Sequence, residues 1–377
     1  MSLPAALYVH VPFCTAKCGY CAFHSITGWT PGATRVMTSA IVADMDELAG
    51  LLPSVRTLYV GGGTPTTLEP ASLLSLISRP RDLGAPVAEI TVEANPESTT
   101  PELTAVLEEA GVDRLSVGVQ TLEPAAARVL GRRLSSLTEI EAIRRAWHGA
   151  LSLDLIHGAP GSTRDGFLRN LRALLALGVD HLSVYGLSIE PDTPLERAVS
   201  ARTVRPPQAD DEWPDVVATI EAAGLRRYEV SNFAVPGSEC RHNQAYWRGE
   251  RFLGLGPSAV STLDAPGAAT PPSMVPAIRV TQPCDHAAYL ARSGPLSGEI
   301  EPLDERDLIA ERIMLGLRTS EGIRADGALA TVREPLLQRA RMLEAAGLVV
   351  TAEDTIRPTH RGMDLLNRVL VALLDVL

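Results

Sequence analysis

The chain contains no run of about 18 uninterrupted apolar residues, so nothing in it reads as a membrane-spanning helix. Its N-terminus lacks the basic start, apolar stretch and small-residue cleavage site of a secretory signal, which implies a soluble, cytoplasmic protein. Positive charge is in short supply: 34 Lys and Arg stand against 45 Asp and Glu, for a formal net charge of -11, and no segment concentrates the basic residues. Phosphate affinity comes from such clusters, so a nucleic-acid partner is not expected. Cysteine is scarce and odd in number, and three of the five fall within eight residues. That distribution suits metal ligation in a reducing compartment better than a disulfide framework. Cys240 and Cys284 stand alone and read as buried free thiols. Internal repeats and low-complexity tracts are also missing.

What is present is enough to fill sizeable cores: 377 residues, 45% of them hydrophobic, suit one domain of ~200 residues plus smaller ones. Short β-rich runs recur at Leu7–Val11, Thr57–Val60, Glu89–Glu93, Arg114–Val119, Ser152–Ile156 and His181–Leu187, each followed by a helical pattern. Ile41, Met45, Leu48 and Leu52 share one helix face, and Leu168, Leu171 and Leu175 share another. A third helix starts at Thr100-Pro101 and stops at Gly111. Strands alternating with helices imply an α/β fold with parallel pairing. Six such units fit a partial (β/α)6 TIM-like barrel over residues 1–200, with an open doubly wound sheet as the alternative. Either way, ligands should meet the carboxyl ends of the strands.

Residues 192–207 read as a linker and 266–283 as a loop, with a helix near Asp211–Ala223 in the mixed region of residues 201–300. Residues 301–377 form a small unit: helices at Glu305–Leu317 and Glu334–Ala346, a two-stranded stretch at Leu348–Pro358, and a helix from Arg361. That order suggests a winged-helix-like domain.

The segment from Tyr8 to Cys21 places the Cys14, Cys18 and Cys21 thiolates in one loop straight after the first strand. Three ligands leave one iron of a 4Fe–4S cubane open to a further ligand. A structural zinc site is the competing reading, but it needs a fourth donor such as His10 or His24.

The CxxxCxxC loop resembles that of the radical S-adenosylmethionine (SAM) superfamily, in the branch containing oxygen-independent coproporphyrinogen III oxidase and HemW. Further ordered matches are Gly61-Gly-Gly-Thr-Pro65, Glu93-Ala-Asn-Pro96, Gly118-Val-Gln120, Asp154-Leu-Ile-His-Gly-Ala-Pro160, Tyr228-Glu-Val-Ser-Asn-Phe233 and His242-Asn-Gln-Ala-Tyr-Trp247. The resemblance implies that Cys14, Cys18 and Cys21 hold the cluster. It places Tyr8, Gly62, Gly63 and Thr64 along the bound SAM, and Glu93, Gln120, Arg132 and Asp154 at its polar groups. It also implies a flavodoxin or ferredoxin-type reductant and a small-molecule or peptide substrate.

Within the branch the signals divide. Oxidases resembling this chain carry a further cysteine two residues after the third ligand, where Phe23 stands, so coproporphyrinogen decarboxylation is disfavoured. HemW sequences share the HNxxYW motif, here His242, Asn243, Tyr246 and Trp247, which that family is taken to use for haem. Other places depart from the HemW pattern: Ala22 in place of Asp, Arg132-Arg-Leu-Ser135, and Ser258-Ala-Val-Ser261. Val260 resembles the oxidase residue that packs beside a second SAM. Two SAM molecules in one pocket is also the arrangement proposed for class C radical SAM methyltransferases, where a methylene radical adds to an sp2 carbon. The expectation is therefore a class C type C-methyltransferase using two SAM molecules, with His157 or His24 as the base that scheme requires. A HemW-type haem chaperone is the alternative.

Overall fold

The structure, a computed structural model, describes residues 3–207, 212–265 and 276–377. Six strands form the parallel centre of its large sheet: β1 (Ala6–Val11), β2 (Thr57–Gly62), β3 (Glu89–Ala94), β4 (Arg114–Gln120), β5 (Ala150–His157) and β6 (His181–Gly186). Each lies within two residues of its expected bounds. Threonine starts three of the intervening helices: the hydroxyls of Thr30, Thr100 and Thr163 accept from Ala33, Leu103 and Gly166 backbone N–H groups, each at 3.1 to 3.2 Å. Proline at the next position presets the helical φ in the first two of these, Pro31–Glu47 and Pro101–Glu109. Gly111, at φ +73°, stops the second helix where the sequence placed its end.

Alternation along the strands separates two chemistries. Leu58, Val60, Ile90, Val92, Leu115 and Val117 point outward into the apolar core beneath the helices. Their neighbours Tyr59, Thr91, Glu93 and Ser116 point into the lumen, as do Asp154 and Ser183 from β5 and β6. Parallel barrels usually fill that lumen with Val, Ile and Leu; this one is polar and hollow.

The region beyond residue 200 extends the same sheet. Strands β7 (Arg226–Arg227) and β8 (Asn232–Ala234) attach antiparallel beyond β6, and β9 (Phe252–Leu255) joins β1 in parallel on the other side. β10 (Val260–Asp264), β11 (Ala277–Thr281) and β12 (Glu299–Leu303) continue outward to complete a twelve-stranded sheet. Three expectations are corrected here. Residues 192–207 are not a plain linker, because Thr193 caps a helix at Pro194–Ser200. The loop expected at 266–283 contains β11, whose five residues pair with both neighbours; residues 266–275 lie outside the described residues. Cys284 is exposed, although Cys240 is buried as expected. The helix near Asp211–Ala223 spans Trp213–Ala222, with Asp211 outside the described residues.

The C-terminal unit has its own apolar core, built on residues such as Ile313, Leu336, Ile356 and Val369. Helices at Glu305–Gly316, Arg333–Ala345, His360–Asp364 and Leu366–Leu374 accompany a three-stranded sheet of β13 (Ile323–Arg324), β14 (Val349–Ala352) and β15 (Thr355–Pro358). The third strand was not legible because two residues are too few to show alternation. Among the described residues, no helix is long and apolar enough to cross a membrane.

The two faces of the strands should respond differently to substitution. Leu58→Ala on the outer face should cost ~2–5 kcal/mol of unfolding free energy, the range for a fully buried leucine. Thr91→Val on the inner face removes a buried hydroxyl without a partner and should stay within ~1 kcal/mol of the parent. Urea denaturation of both variants checks the contrast, and equal losses would contradict the division.

Candidate functional site

The cysteine loop is fastened at several points before it reaches any ligand. Cys14 N–H donates to the Ile26 carbonyl at 3.0 Å, and Ile26 N–H returns to Pro12 at 2.6 Å. Trp29 Nε1 donates to the Cys14 carbonyl at 3.0 Å. Gly19 donates to Leu130 and accepts from Leu195, both at 2.8 Å, which ties the loop to two helices of the barrel. A side chain on Gly19 would press on the Val129 carbonyl at 3.4 Å.

All three sulfurs face a cavity of about 640 Å³ at the carboxyl ends of the strands. Its upper wall is a hydrogen-bonded network. Arg132 Nη1 lies 3.5 Å from Cys18 Sγ, while its Nη2 donates to Asn95 Oδ1 at 2.8 Å and to the Gly118 carbonyl at 2.6 Å. Asn95 Nδ2 donates to Thr64 Oγ1 at 2.9 Å, and Thr64 Oγ1 donates to Cys14 Sγ at 3.9 Å. Glu93 accepts from Gly62 N–H at 2.8 Å and from Tyr59 Oη at 2.9 Å. Ser116 Oγ donates to Asp154 at 3.0 Å. Gly62 sits at φ +105° with the His10 ring where a Cβ would be, and a Cβ on Gly63 would strike the Phe13 carbonyl at 2.6 Å. Only glycine passes there. Gln120 occupies the left-handed region, at φ +64°, beside an irregularity in the β4–β5 register; such strain gathers where a side chain is aimed at a site.

Burial raises the pKa values of this wall. Glu93 is pushed up to about 7 by burial first and by the Asp154 charge second, against the two hydrogen bonds that favour its ionised form. Asp154 is raised by burial too, as are the Cys14 and Cys21 thiols.

Among the described residues, no group of three or more His, Cys, Asp and Glu side chains converges on a point where one metal ion would sit. A zinc ion gathers four donors at about 2.0–2.3 Å. His10, one supposed fourth donor, lies with Nε2 3.0 Å from the His24 carbonyl and its ring against Gly62, so zinc does not fit. A cubane takes one thiolate per iron, so its sulfurs need only face one cavity, as these do.

Of the residues singled out from the sequence, Gly62, Gly63, Thr64 and Glu93 line the cavity together with the three cysteines. Gln120, Arg132, Asp154 and Asn243 do so as well. Tyr8 lies behind the wall, its hydroxyl 3.1 Å from His10 Nδ1. Neither proposed base reaches the cavity, and both are corrected. His157 ends β5 on the outer face, 1% exposed against Phe167 and Trp213, with Nε2 3.2 Å from Glu212. His24 is not among the residues that line the cavity, and its Nε2 is enclosed by protein. Val260 pairs with Thr281 on β10 and is not among the residues that line the cavity. His242, Tyr246 and Trp247 pack outside the cavity, and only Asn243 of that motif reaches it.

Tyr59, Asn95, Ser116 and Tyr185 were missed. The signal was available: polar residues alternate with aliphatic ones through Thr57-Leu-Tyr59, Thr91-Val-Glu93 and Ser152-Leu-Asp154. A parallel strand buried on two apolar faces would not show that pattern.

The family model described as Radical SAM superfamily matches residues 8–199, and that described as HemN C-terminal domain matches residues 303–365. The chain belongs to the radical SAM superfamily. Its branch is the HemN/HemW-like one. Heme chaperone HemW of Mycobacterium tuberculosis (strain H37Rv) is 36% identical to this radical SAM protein, over 98% of this chain and 95% of its own. HemW of Bacillus subtilis (strain 168) is 30% identical over 98% and 99%. A mitochondrial radical S-adenosyl methionine domain-containing protein 1 from Bos taurus is 31% identical over 98% and 87%. Among solved structures, coproporphyrinogen III oxidase (HemN) from Escherichia coli superposes with a TM-score of 0.82 at 22% identity, covering 100% of this chain and 91% of its own, which speaks for the fold. These relatives overturn the methyltransferase expectation, since proteins named heme chaperone HemW match at 30–36% identity over 98% of this chain.

The Glu93 carboxyl gives a pH test. Because its folded value is raised to about 7 from an ordinary 4.5, its contribution to stability is full below about pH 4.5 and is lost as pH rises through 7. Glu93→Gln should therefore raise the melting temperature at pH 8 relative to the parent and change it little at pH 5. The penalty removed is on the order of 3 kcal/mol. Scanning calorimetry of the cluster-free protein checks this, and an equal effect at both pH values would contradict it.

Proposed function

We propose that this chain is a haem chaperone of the HemW type, which keeps a 4Fe–4S cluster and SAM in its barrel and binds haem as cargo. The observation that carries the reading is 36% identity with a protein called heme chaperone HemW over 98% of this chain. Phe23, standing where related oxidases carry a further cysteine, supports it. So does the apolar mouth of the cavity, where Phe23 is 69% and Tyr185 44% exposed near Tyr20 and Leu187. Exposed aromatic and aliphatic faces of that kind suit a flat apolar macrocycle.

Cys14, Cys18 and Cys21 would hold the cluster, which when bound offers one iron to the amino and carboxylate groups of SAM and can deliver an electron to it. Arg132 and Thr64 place their donors on the cysteine sulfurs, which lowers the electron density that those sulfurs give to iron. Gly62 and Gly63 leave backbone room for a ligand beside them. Glu93, held near neutrality, can carry or release a proton as a cationic amino group arrives. A flavodoxin or ferredoxin-type protein would supply the electron.

Haem titration of anaerobically prepared protein tests the reading. A Soret band should saturate near one haem per chain, at micromolar affinity or tighter. Lys17, the sole lysine of the sequence, lies at the cavity mouth, so haem should protect it from an amine-reactive reagent. No saturable Soret band, or undiminished labelling of Lys17, would contradict the proposal.

A further inference from the structure

The motif His242-Asn-Gln-Ala-Tyr-Trp247 is where resemblance would seat haem, and its geometry is unsuited to that role. The helix Arg241–Trp247 is fixed from below by Glu89, whose carboxylate accepts from His242 N–H at 3.1 Å and Arg241 N–H at 3.2 Å. His242 itself is 2% exposed. Its ring lies between Tyr59 and Tyr246, with both centroids 5.1 Å away, and its Nδ1 is 3.0 Å from Thr57 Oγ1. The remaining nitrogen, Nε2, is enclosed by protein and has no partner. An iron atom could reach Nε2 only if the ring left both tyrosines and Thr57. The rest of the motif is similarly occupied. Tyr246 packs on Phe252 at 4.4 Å, and Arg318 of the C-terminal unit covers the Trp247 ring at 5.0 Å.

What His242 does touch leads to the cavity. Tyr59, against which it packs, lines the cavity and donates to Glu93, and Glu93 in turn holds Gly62 N–H. Gly61 has Tyr59 and Glu93 atoms at 2.8 Å from where a Cβ would stand, so a shift of the Tyr59 ring is transmitted to the glycine wall. We propose that His242 is a positioning residue that sets Tyr59, and through it Glu93 and Gly62, for SAM, and that it is not a haem ligand. The inference rests on the reading of this cavity as a SAM site in a haem-binding protein.

Two variants of the full chain, with the cluster reconstituted, decide it. His242→Phe keeps a ring between the tyrosines and has no nitrogen to ligate iron. It should bind haem with an unchanged Soret position and bind SAM within about threefold of the parent. His242→Ala should leave the Soret band in place but weaken SAM binding by about tenfold. It should also raise the pH midpoint of SAM binding, because Glu93 loses the Tyr59 hydrogen bond that favours its ionised form. A Soret band lost or shifted in His242→Phe would overturn the proposal. So would SAM affinity and pH midpoint unchanged in His242→Ala. If the parent itself binds no haem, the chaperone reading fails, while the SAM measurements still decide the positioning role.

Discussion

Side chains on a β-strand alternate between two faces, and everything functional in this protein depends on how the strands of its barrel use that constraint. Apart from His157 at the end of β5, the outer positions of β1 to β6 are aliphatic and supply the burial that holds the fold together. That frees the inner positions to be polar. Polar groups in such a place each cost ~1–3 kcal/mol when left without a partner. The lumen answers with paired groups: Glu93 with Tyr59 and Gly62, Asp154 with Ser116, Arg132 with Asn95 and Gly118. Side chains held by two or three bonds in a buried wall cannot swing away, so the cavity is shaped before any ligand arrives.

The cysteine loop is the second half of the arrangement. It owes its position to backbone bonds, from Cys14 to Ile26 and from Gly19 to Leu130 and Leu195, and not to the sulfurs themselves. The sulfurs thus face the polar wall from above, with Arg132 reaching from the wall to Cys18. A cluster in this loop and a charged cosubstrate in the wall would share one compartment, which is what electron transfer between them requires.

Much of this was legible in the sequence, because the signals were local. The Thr100-Pro101 start and the Gly111 stop set the bounds of one helix within two residues. The cysteine spacing and the glycine run set the top of the site. The outward direction of His157 follows from the same alternation, since it stands three residues beyond the inward-facing Asp154, whereas His24 lies in a loop where no periodicity tells which way it faces. The helix at Pro194–Ser200 hid inside a stretch rich in loop formers, although its Thr193-Pro194 start repeats the cap seen at Thr30-Pro31 and Thr100-Pro101. Function was misjudged for a different reason: small substitutions near a site carry less information than the agreement of an entire chain, and a sequence read alone gives no measure of that agreement.

Electron paramagnetic resonance of the anaerobically prepared, dithionite-reduced protein, before and after addition of SAM, bears most directly on the central claim that three sulfurs over this cavity hold a cubane with one iron open to SAM. The account predicts a 4Fe–4S signal whose shape changes when SAM is added. A signal indifferent to SAM, or protein that carries no iron when prepared without air, would contradict it.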